Sequence, residues 1–200
     1  SLYSPVAATP ERHKILEKYG LEEPFFLYVG RLEKKKNTPA LVESFSVFKE
    51  AHPGDNFKLV LIGNAGFGYD EVKYIIEEYN LTRSVLMPGW VAEEDLPAIF
   101  SAATAFIFPS LHEGFGIPVL QAMACGVPAL VSDLPVLKEI AGEAALYFNP
   151  RDRAAMAAAL IAISSSTELH QRLSAQGLIR AQQFSWEQSA RETLQVLTGK

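Results

Sequence analysis

The amino-acid sequence predicts an α/β fold, in which a parallel sheet of six strands carries helices on both faces. Six short apolar runs alternate along the chain with segments whose apolar residues recur at helical spacing, a pattern typical of parallel sheets. The run within residues 57–63 is continuous, which indicates a strand buried on both faces. Six such strands suit a doubly wound, Rossmann-like sheet with the strand order 3-2-1-4-5-6.

Glycine, proline and capping residues mark where the predicted elements begin and end. The predicted strands cover residues 25–30, 57–63, 85–87, 105–108, 129–132 and 144–148. The predicted helices cover residues 11–19, a segment from Thr38, 69–79, 93–102, a segment from Pro118 to Gly126, 135–140, 151–163, 167–183 and 186–197. Proline in a first helical turn loses no hydrogen bond, and glycine is the usual residue just past a helix. The charged sequence RLEKKKN at residues 31–37 is predicted to be a loop.

The patterns along the chain predict three segments, and the composition gives no support for several classes of partner. We expect an interdomain linker with a short helix (residues 1–24), a Rossmann-like domain (residues 25–183) and a C-terminal helix (residues 184–200). The chain starts at a serine without a methionine, so we expect a piece of a longer protein. A net charge of −5 gives no support for binding to nucleic acid or anionic membranes. No apolar run approaches the roughly 20 residues that a transmembrane helix needs.

The stretch PSLHEGFGIPVLQAMACGVPALVSD at residues 109–133 indicates a ligand site. Its turn carries one carboxylate, Glu113, and the glycines at 114 and 116 would let backbone N–H groups approach a ligand closely. The helix that follows would offer the free N–H groups of Val119 and Leu120 to an anion such as phosphate. From this stretch alone, an ordinary tight turn with a surface glutamate is an equally good interpretation.

The predicted strand order favours the ligand site over the ordinary turn. It makes the first and fourth strands neighbours, and ligands of such sheets bind beyond the carboxyl ends of the strands at this point. The first strand ends at Gly30 and Arg31, and the fourth ends just before Glu113 and its glycines. Arg31 and one of the lysines at 34–36 could hold phosphate, although a run of charges is also typical of a solvated surface.

Other chemistries find little support in the sequence. The spacing Gly114-x-Gly116-x-x-Val119 matches the dinucleotide fingerprint only in part and follows the fourth strand instead of the first, so NAD binding is disfavoured. The four histidines lack metal-ligand spacing, and no metal or other cofactor is predicted, although His112 is expected to line the site. The acids at 93–95 are interpreted as the exposed first turn of a helix.

Four motifs in order resemble the C-terminal, donor-binding domain of retaining GT-B glycosyltransferases, the group with a Glu-x7-Glu motif. They are YVGRLEKKKN at 28–37, LVLIGNAG at 59–66, EGFGIPVLQAMACGVPALVSD at 113–133 and FSW at 184–186. The match covers about residues 25–186. The resemblance implies one half of a GT-B fold, with the domain at residues 25–183 binding a nucleotide sugar.

The resemblance also assigns a role to individual residues. It implies that Arg31 and Lys36 hold the diphosphate of the donor and that Glu113 binds sugar hydroxyls. Residues expected to contact the donor, largely through their backbone, are Gly30, Gly63, Val91 near the nucleobase, Gly114, Phe115, Gly116, Val119 and Leu120. Gln121 stands where the motif has its second glutamate, which usually binds the ribose, so ribose binding is expected to be weaker or the nucleotide preference different.

The implied reaction is transfer of a hexosyl residue from a UDP-, GDP- or ADP-sugar to an acceptor hydroxyl, with retention at the anomeric carbon and without a cofactor. A missing N-terminal domain would bind a glycan or lipid-linked acceptor, and the isolated domain is expected to be inactive. The expected location is cytoplasmic, or peripheral to the inner face of the membrane. A non-catalytic nucleotide-sugar binding module is the main alternative, and an NAD-dependent oxidoreductase domain and a purely structural Rossmann domain remain open.

Overall fold

The computed structural model describes residues 2–199, and its strands form one parallel sheet. In chain order they are β1 (Phe25–Val29), β2 (Lys58–Ile62), β3 (Val85–Gly89), β4 (Ala105–Phe108), β5 (Ala129–Ser132) and β6 (Ala145–Phe148). The strand order across the sheet is β3-β2-β1-β4-β5-β6, and every neighbouring pair is parallel. The predicted fold class and strand order are therefore confirmed.

The helices of residues 2–199 follow the predicted sequence of elements, with small shifts at their ends. They are α1 (Pro10–Lys18), α2 (Thr38–Ala51), α3 (Tyr69–Glu78), α4 (Leu96–Ala102), α5 (Ile117–Ala124), α6 (Pro135–Ala141), α7 (Arg153–Ser165), α8 (Thr167–Ala181) and α9 (Trp186–Thr198). Two short 3₁₀ turns, Lys34–Lys36 and Gly142–Ala144, were not predicted. Of the helices in this part of the chain, none combines the length and apolar character that a bilayer-spanning helix requires.

The sheet is covered on both faces. All four residues from Phe25 to Tyr28 are fully buried, although successive side chains of a strand point to opposite faces. Helix α2 packs with α3 and α7, whereas α5 packs with α4, α6 and α8. Helix α9 is different, because none of its residues is buried. Ser1 and Lys200, at the ends of the first and last predicted segments, lie outside the described residues, and the predicted domain boundaries stay a prediction.

Asp95 corrects the interpretation of residues 93–95 as an exposed first helical turn. Helix α4 begins only at Leu96, and Asp95 is 9% exposed. Its Oδ2 accepts hydrogen bonds from Lys18 Nζ and Tyr19 Oη, each at 2.7 Å, and these two bonds lower the pKa of Asp95. The carboxylate ties the end of α1 to the start of α4. The sequence of a short acidic run does not show whether its carboxylates are solvated or paired with a lysine that is distant in sequence.

Two glycines let the carboxyl ends of β1 and β2 approach each other closely. The amide of Gly30 donates to Ile62 O at 2.9 Å, and Gly63 has a φ of +140°. A Cβ atom on Gly63 would lie 2.0 Å from Gly30 O, which is far inside van der Waals contact. Only glycine fits at position 63, and its presence keeps the loop after β1 close to the loop after β2.

We expect Gly63→Ala to lower the free energy of unfolding by at least about 2 kcal/mol, because it adds a backbone clash to a strained φ. The matched control is Gly114→Ala: a Cβ at Gly114 would meet nothing within 4 Å and its φ is not positive, so its unfolding free energy should change by less than about 1 kcal/mol. Chemical denaturation of both variants tests this. Equal stabilities would show that the Gly63 backbone is not constrained as described.

Candidate functional site

The loops that follow β1 and β4 meet at the carboxyl edge of the sheet. Strands β1 and β4 pair directly, with Phe26 opposite Ala105 and Leu27 opposite Phe106. Beyond them, the amide of Leu111 in the loop after β4 donates to the carbonyl oxygen of Lys35 in the loop after β1, at 3.0 Å. Two segments far apart in sequence are thus fixed to each other.

The lysine turn (residues 34–36) is held by its neighbours rather than free in solvent. Its backbone is bonded to the loop after β2, where the amide of Lys34 donates to Phe67 O at 3.0 Å. At its end, Asn37 adopts the left-handed conformation with a φ of +59°, and its Nδ2 donates to Pro150 O at 2.7 Å. The turn therefore presents its side chains from a fixed backbone.

Each of the three lysines has a different acidic partner. Successive residues of a 3₁₀ turn are rotated by about 120°, so consecutive side chains point in three directions. Lys34 pairs with Glu71 at 2.7 Å and Lys35 with Glu33 at 3.3 Å, and both lysine side chains are more than half exposed. Lys36 alone of the three reaches Glu113. The expectation that one lysine of this run belongs to the site thus falls on Lys36.

Lys36 and Glu113 form a largely buried ion pair. Lys36 Nζ donates to Glu113 Oε1 at 2.6 Å, and the two side chains are 21% and 11% exposed. The ammonium also lies 5.6 Å from the ring centroid of Phe108, within the range of a cation–π contact. A cation, a carboxylate and an aromatic face are therefore placed together at the edge of the sheet.

These side chains line a cleft of about 290 Å³. Its lining residues are Val29, Gly30, Lys36, Phe108, Glu113, Phe115, Gly116, Ile117 and Pro118. Five of them were predicted site residues, namely Gly30, Lys36, Glu113, Phe115 and Gly116. The other four lining residues, all apolar, were missed, although their positions at strand ends and at a helix start could have suggested them. A hollow of about 320 Å³ beside α1 contains none of the predicted residues.

The other predicted residues are not among those that line this cleft. The side chain of Arg31 is exposed, and its carbonyl oxygen accepts a hydrogen bond of 2.8 Å from the buried Tyr28 hydroxyl. Burial, together with the charges of nearby carboxylates, raises the pKa of Tyr28, so this hydroxyl keeps its proton. His112 is exposed and is not among the lining residues, contrary to expectation. The remaining predicted residues outside the lining are Gly63, Val91, Gly114, Val119, Leu120 and Gln121.

The glycine loop (residues 113–116) contains two glycines, and the fold requires glycine at only one of the two positions. Gly116 has a φ of +107°, and a Cβ there would lie 2.7 Å from Leu137 Cδ2, so the fold itself requires glycine. Gly114 has no such requirement, since a Cβ would meet nothing within 4 Å. The side of the loop at Gly114 is open to an incoming group.

One prediction about this helix start is wrong. The amide of Val119, expected to be free for an anion, donates to Gly116 O at 2.9 Å. This contact spans three residues and tightens the first turn, one of the ordinary ways in which a helix satisfies its first N–H groups. A ligand at this helix start would share that donor. Among residues 2–199 there is also no group of three or more histidine, cysteine or carboxylate residues that could hold a metal ion.

Comparison with known proteins identifies the family. Residues 11–180 match the family of glycosyl transferases group 1. The chain belongs to this family. It is 33% identical over 192 residues to O-antigen chain mannosyltransferase B of Escherichia coli, a match that covers 96% of this chain and 49% of that protein. The chain thus spans about half the length of this curated relative.

Solved structures agree with the fold of this family. The C-terminal domain of the group 1 protein LpcC from Francisella tularensis has a TM-score of 0.78 at 21% identity, covering 91% of this chain and 95% of that domain. HepE from Anabaena, solved in complex with UDP-glucose, has a TM-score of 0.85 at 20% identity and covers 100% of this chain and 55% of that one. These likenesses confirm the predicted GT-B-type Rossmann fold of this family member.

We expect a strong energetic coupling between Lys36 and Glu113. In a double-mutant cycle on stability with Lys36→Met and Glu113→Gln, the coupling should be about 1–3 kcal/mol, because a charge-assisted hydrogen bond is made with little exposure to water. The cycle of Lys34→Met with Glu71→Gln is the control. That pair has nearly the same N–O distance, 2.7 Å against 2.6 Å, but side chains 54% and 43% exposed, so less than about 0.5–1 kcal/mol is expected. Similar couplings in the two cycles would contradict a desolvated site pair.

Proposed function

We propose that the cleft beside β1 and β4 binds a nucleotide diphosphate sugar, as the donor site of a retaining glycosyltransferase that transfers a hexosyl residue to an acceptor hydroxyl. The observation that carries the proposal is the largely buried Lys36–Glu113 pair beside the open backbone of Gly114. The pair places a cation, which could bind a phosphate, directly beside a carboxylate, which could accept hydrogen bonds from sugar hydroxyls. Membership of the group 1 family and the UDP-glucose found in HepE support it.

The chemistry required of this half is stabilisation of a leaving diphosphate. The ammonium of Lys36 would lie against the phosphates, and Arg31, five residues earlier in the same loop, would add a second cation. Glu113 would accept hydrogen bonds from sugar hydroxyls, and backbone amides of the glycine loop would donate to the donor. Leu120, and Val119 through a shared amide, would complete the diphosphate contacts at the start of α5.

The whole protein is proposed to hold a second, acceptor-binding domain of the same chain. The basis is the comparison of lengths, since this chain spans 49% of the mannosyltransferase relative. The acceptor would be a glycan or a lipid-linked sugar, and the present domain alone would bind a donor without turning it over. A cytoplasmic or membrane-peripheral location and the absence of a cofactor stay predictions.

Gln121 favours a second candidate function, that of a non-catalytic nucleotide-sugar binding module. A glutamine replaces the carboxylate that the family motif has at this position, on a half-buried face of α5. Loss of a charged contact with the ribose is a change expected in a protein that has lost catalytic activity during evolution. Transfer activity of the full-length protein with any donor would separate the two functions.

The primary test is a calorimetric and thermal-shift panel of UDP-glucose, GDP-mannose and ADP-glucose. At a ligand concentration of 100 times Kd, one-site binding should add roughly 2.7 kcal/mol to the unfolding free energy. Gly114→Ala and Lys36→Met should each weaken binding by about tenfold or more, because each removes or blocks a polar contact with the donor. Lys34→Met is the matched control and should bind as wild type. If the wild-type chain binds no member of a complete nucleotide-sugar panel, the proposed function is wrong.

A second prediction concerns the departure at position 121. Gln121→Glu should tighten nucleotide-sugar binding by about three- to tenfold, because a carboxylate accepts a stronger hydrogen bond from ribose hydroxyls than an amide does. Titration calorimetry of both proteins with the donor that binds best measures the difference. An unchanged or weaker affinity would remove Gln121 from the ribose site.

A further inference from the structure

The glycine loop is supported on two sides by elements that do not line the cleft. From below, Gly116 lies against Leu137 of α6, as the 2.7 Å approach of a hypothetical Cβ shows. From the side, the ring of Phe115 meets the ring of Phe184 edge to face, with centroids 6.2 Å apart and planes at 88°. Phe115 is 44% exposed, so its ring is not held by burial.

Arg180 links these two supports. Its Nε donates to Ile140 O at 2.8 Å and its Nη2 to Glu139 O at 2.5 Å, which satisfies carbonyl groups in the last turn of α6. The same guanidinium lies 4.9 Å from the ring centroid of Phe184. One side chain therefore fixes the helix under Gly116 and the ring beside Phe115.

We infer that Phe184, held by Arg180, is a positioning residue for the glycine loop, and that it sets the backbone of Gly114 and Phe115 in the geometry that receives the sugar of the donor. The inference rests on the proposed function for the identity of the ligand. Phe184 does not touch the cleft itself, because it is not among the lining residues. It acts through the ring of Phe115, which is one of them. Phe184 also lies just before α9, which begins at Trp186.

The test compares two variants. Phe184→Leu keeps an apolar side chain but loses the aromatic edge-to-face contact, whereas Phe184→Tyr retains the aromatic ring. Phe184→Leu should raise the Kd of the best-binding nucleotide sugar of the panel by about two- to tenfold, the range expected for an aromatic pair. The Kd of the matching free nucleotide (UDP, GDP or ADP) should change less than twofold, because the loop faces the sugar. Phe184→Tyr should bind as wild type. The control is Trp186→Leu, an aromatic substitution two residues away on a side chain 77% exposed.

A second measurement does not depend on any ligand. In the ligand-free protein, Phe184→Leu should shift the backbone amide NMR resonances of Gly114 and Gly116, and Trp186→Leu should leave them in place. Unshifted glycine resonances would overturn the positioning role, as would equal losses of affinity for nucleotide and nucleotide sugar. If wild type binds no nucleotide sugar but Phe184→Leu shifts the resonances, the proposed function fails and the coupling of Phe184 to the loop stands.

Discussion

The direct pairing of β1 with β4 is the constraint on which the site depends. From β1 the chain moves outward through β2 to β3, and then returns to place β4 on the other side of β1. The loops that leave β1 and β4 consequently run in opposite directions and leave a crevice between them. The strand register shows where the crevice opens. Strands β1 and β2 pair along Phe25–Val29, whereas β1 and β4 pair only through Phe26 and Leu27. Val29 and Gly30, just past the last pair, already line the cleft.

Charge in the loop after β1 is distributed by backbone geometry. Three consecutive lysines would form a diffuse cationic surface if they were free in solvent. The 3₁₀ turn separates them, and Glu71 and Glu33 compensate the first two outside the cleft. Only the charge of Lys36 remains at the cleft, in a setting of low exposure where an electrostatic interaction is screened less by water. The site therefore has one well-placed cation from this run instead of a broad basic patch.

The sequence predicts the architecture well because strand and helix patterns record burial averaged over whole elements. The six apolar runs were enough for the sheet order, and that order alone brings Gly30 and Glu113 to one crevice. Contacts that depend on single side chains were not predictable in the same way. The partner of Asp95 lies on α1, and the hydrogen bond that occupies the Val119 amide depends on how tightly the first turn of α5 closes. Phe184 was identified only as part of a motif, because the sequence does not show that its ring contacts Phe115.

The Lys36–Glu113 pair has a consequence for how the proposed site treats its ligands. A diphosphate that draws Lys36 away from Glu113 leaves a carboxylate, only 11% exposed, without its hydrogen-bond donor. At the proposed donor site, the hydroxyls of a nucleotide sugar would replace that donor, so both partners of the broken pair would be satisfied. A free nucleotide diphosphate would supply the anion but not the hydroxyls, and its negative charge would then lie near an uncompensated carboxylate. The Lys36–Glu113 pair would therefore favour the intact donor over the product that remains after the sugar has left.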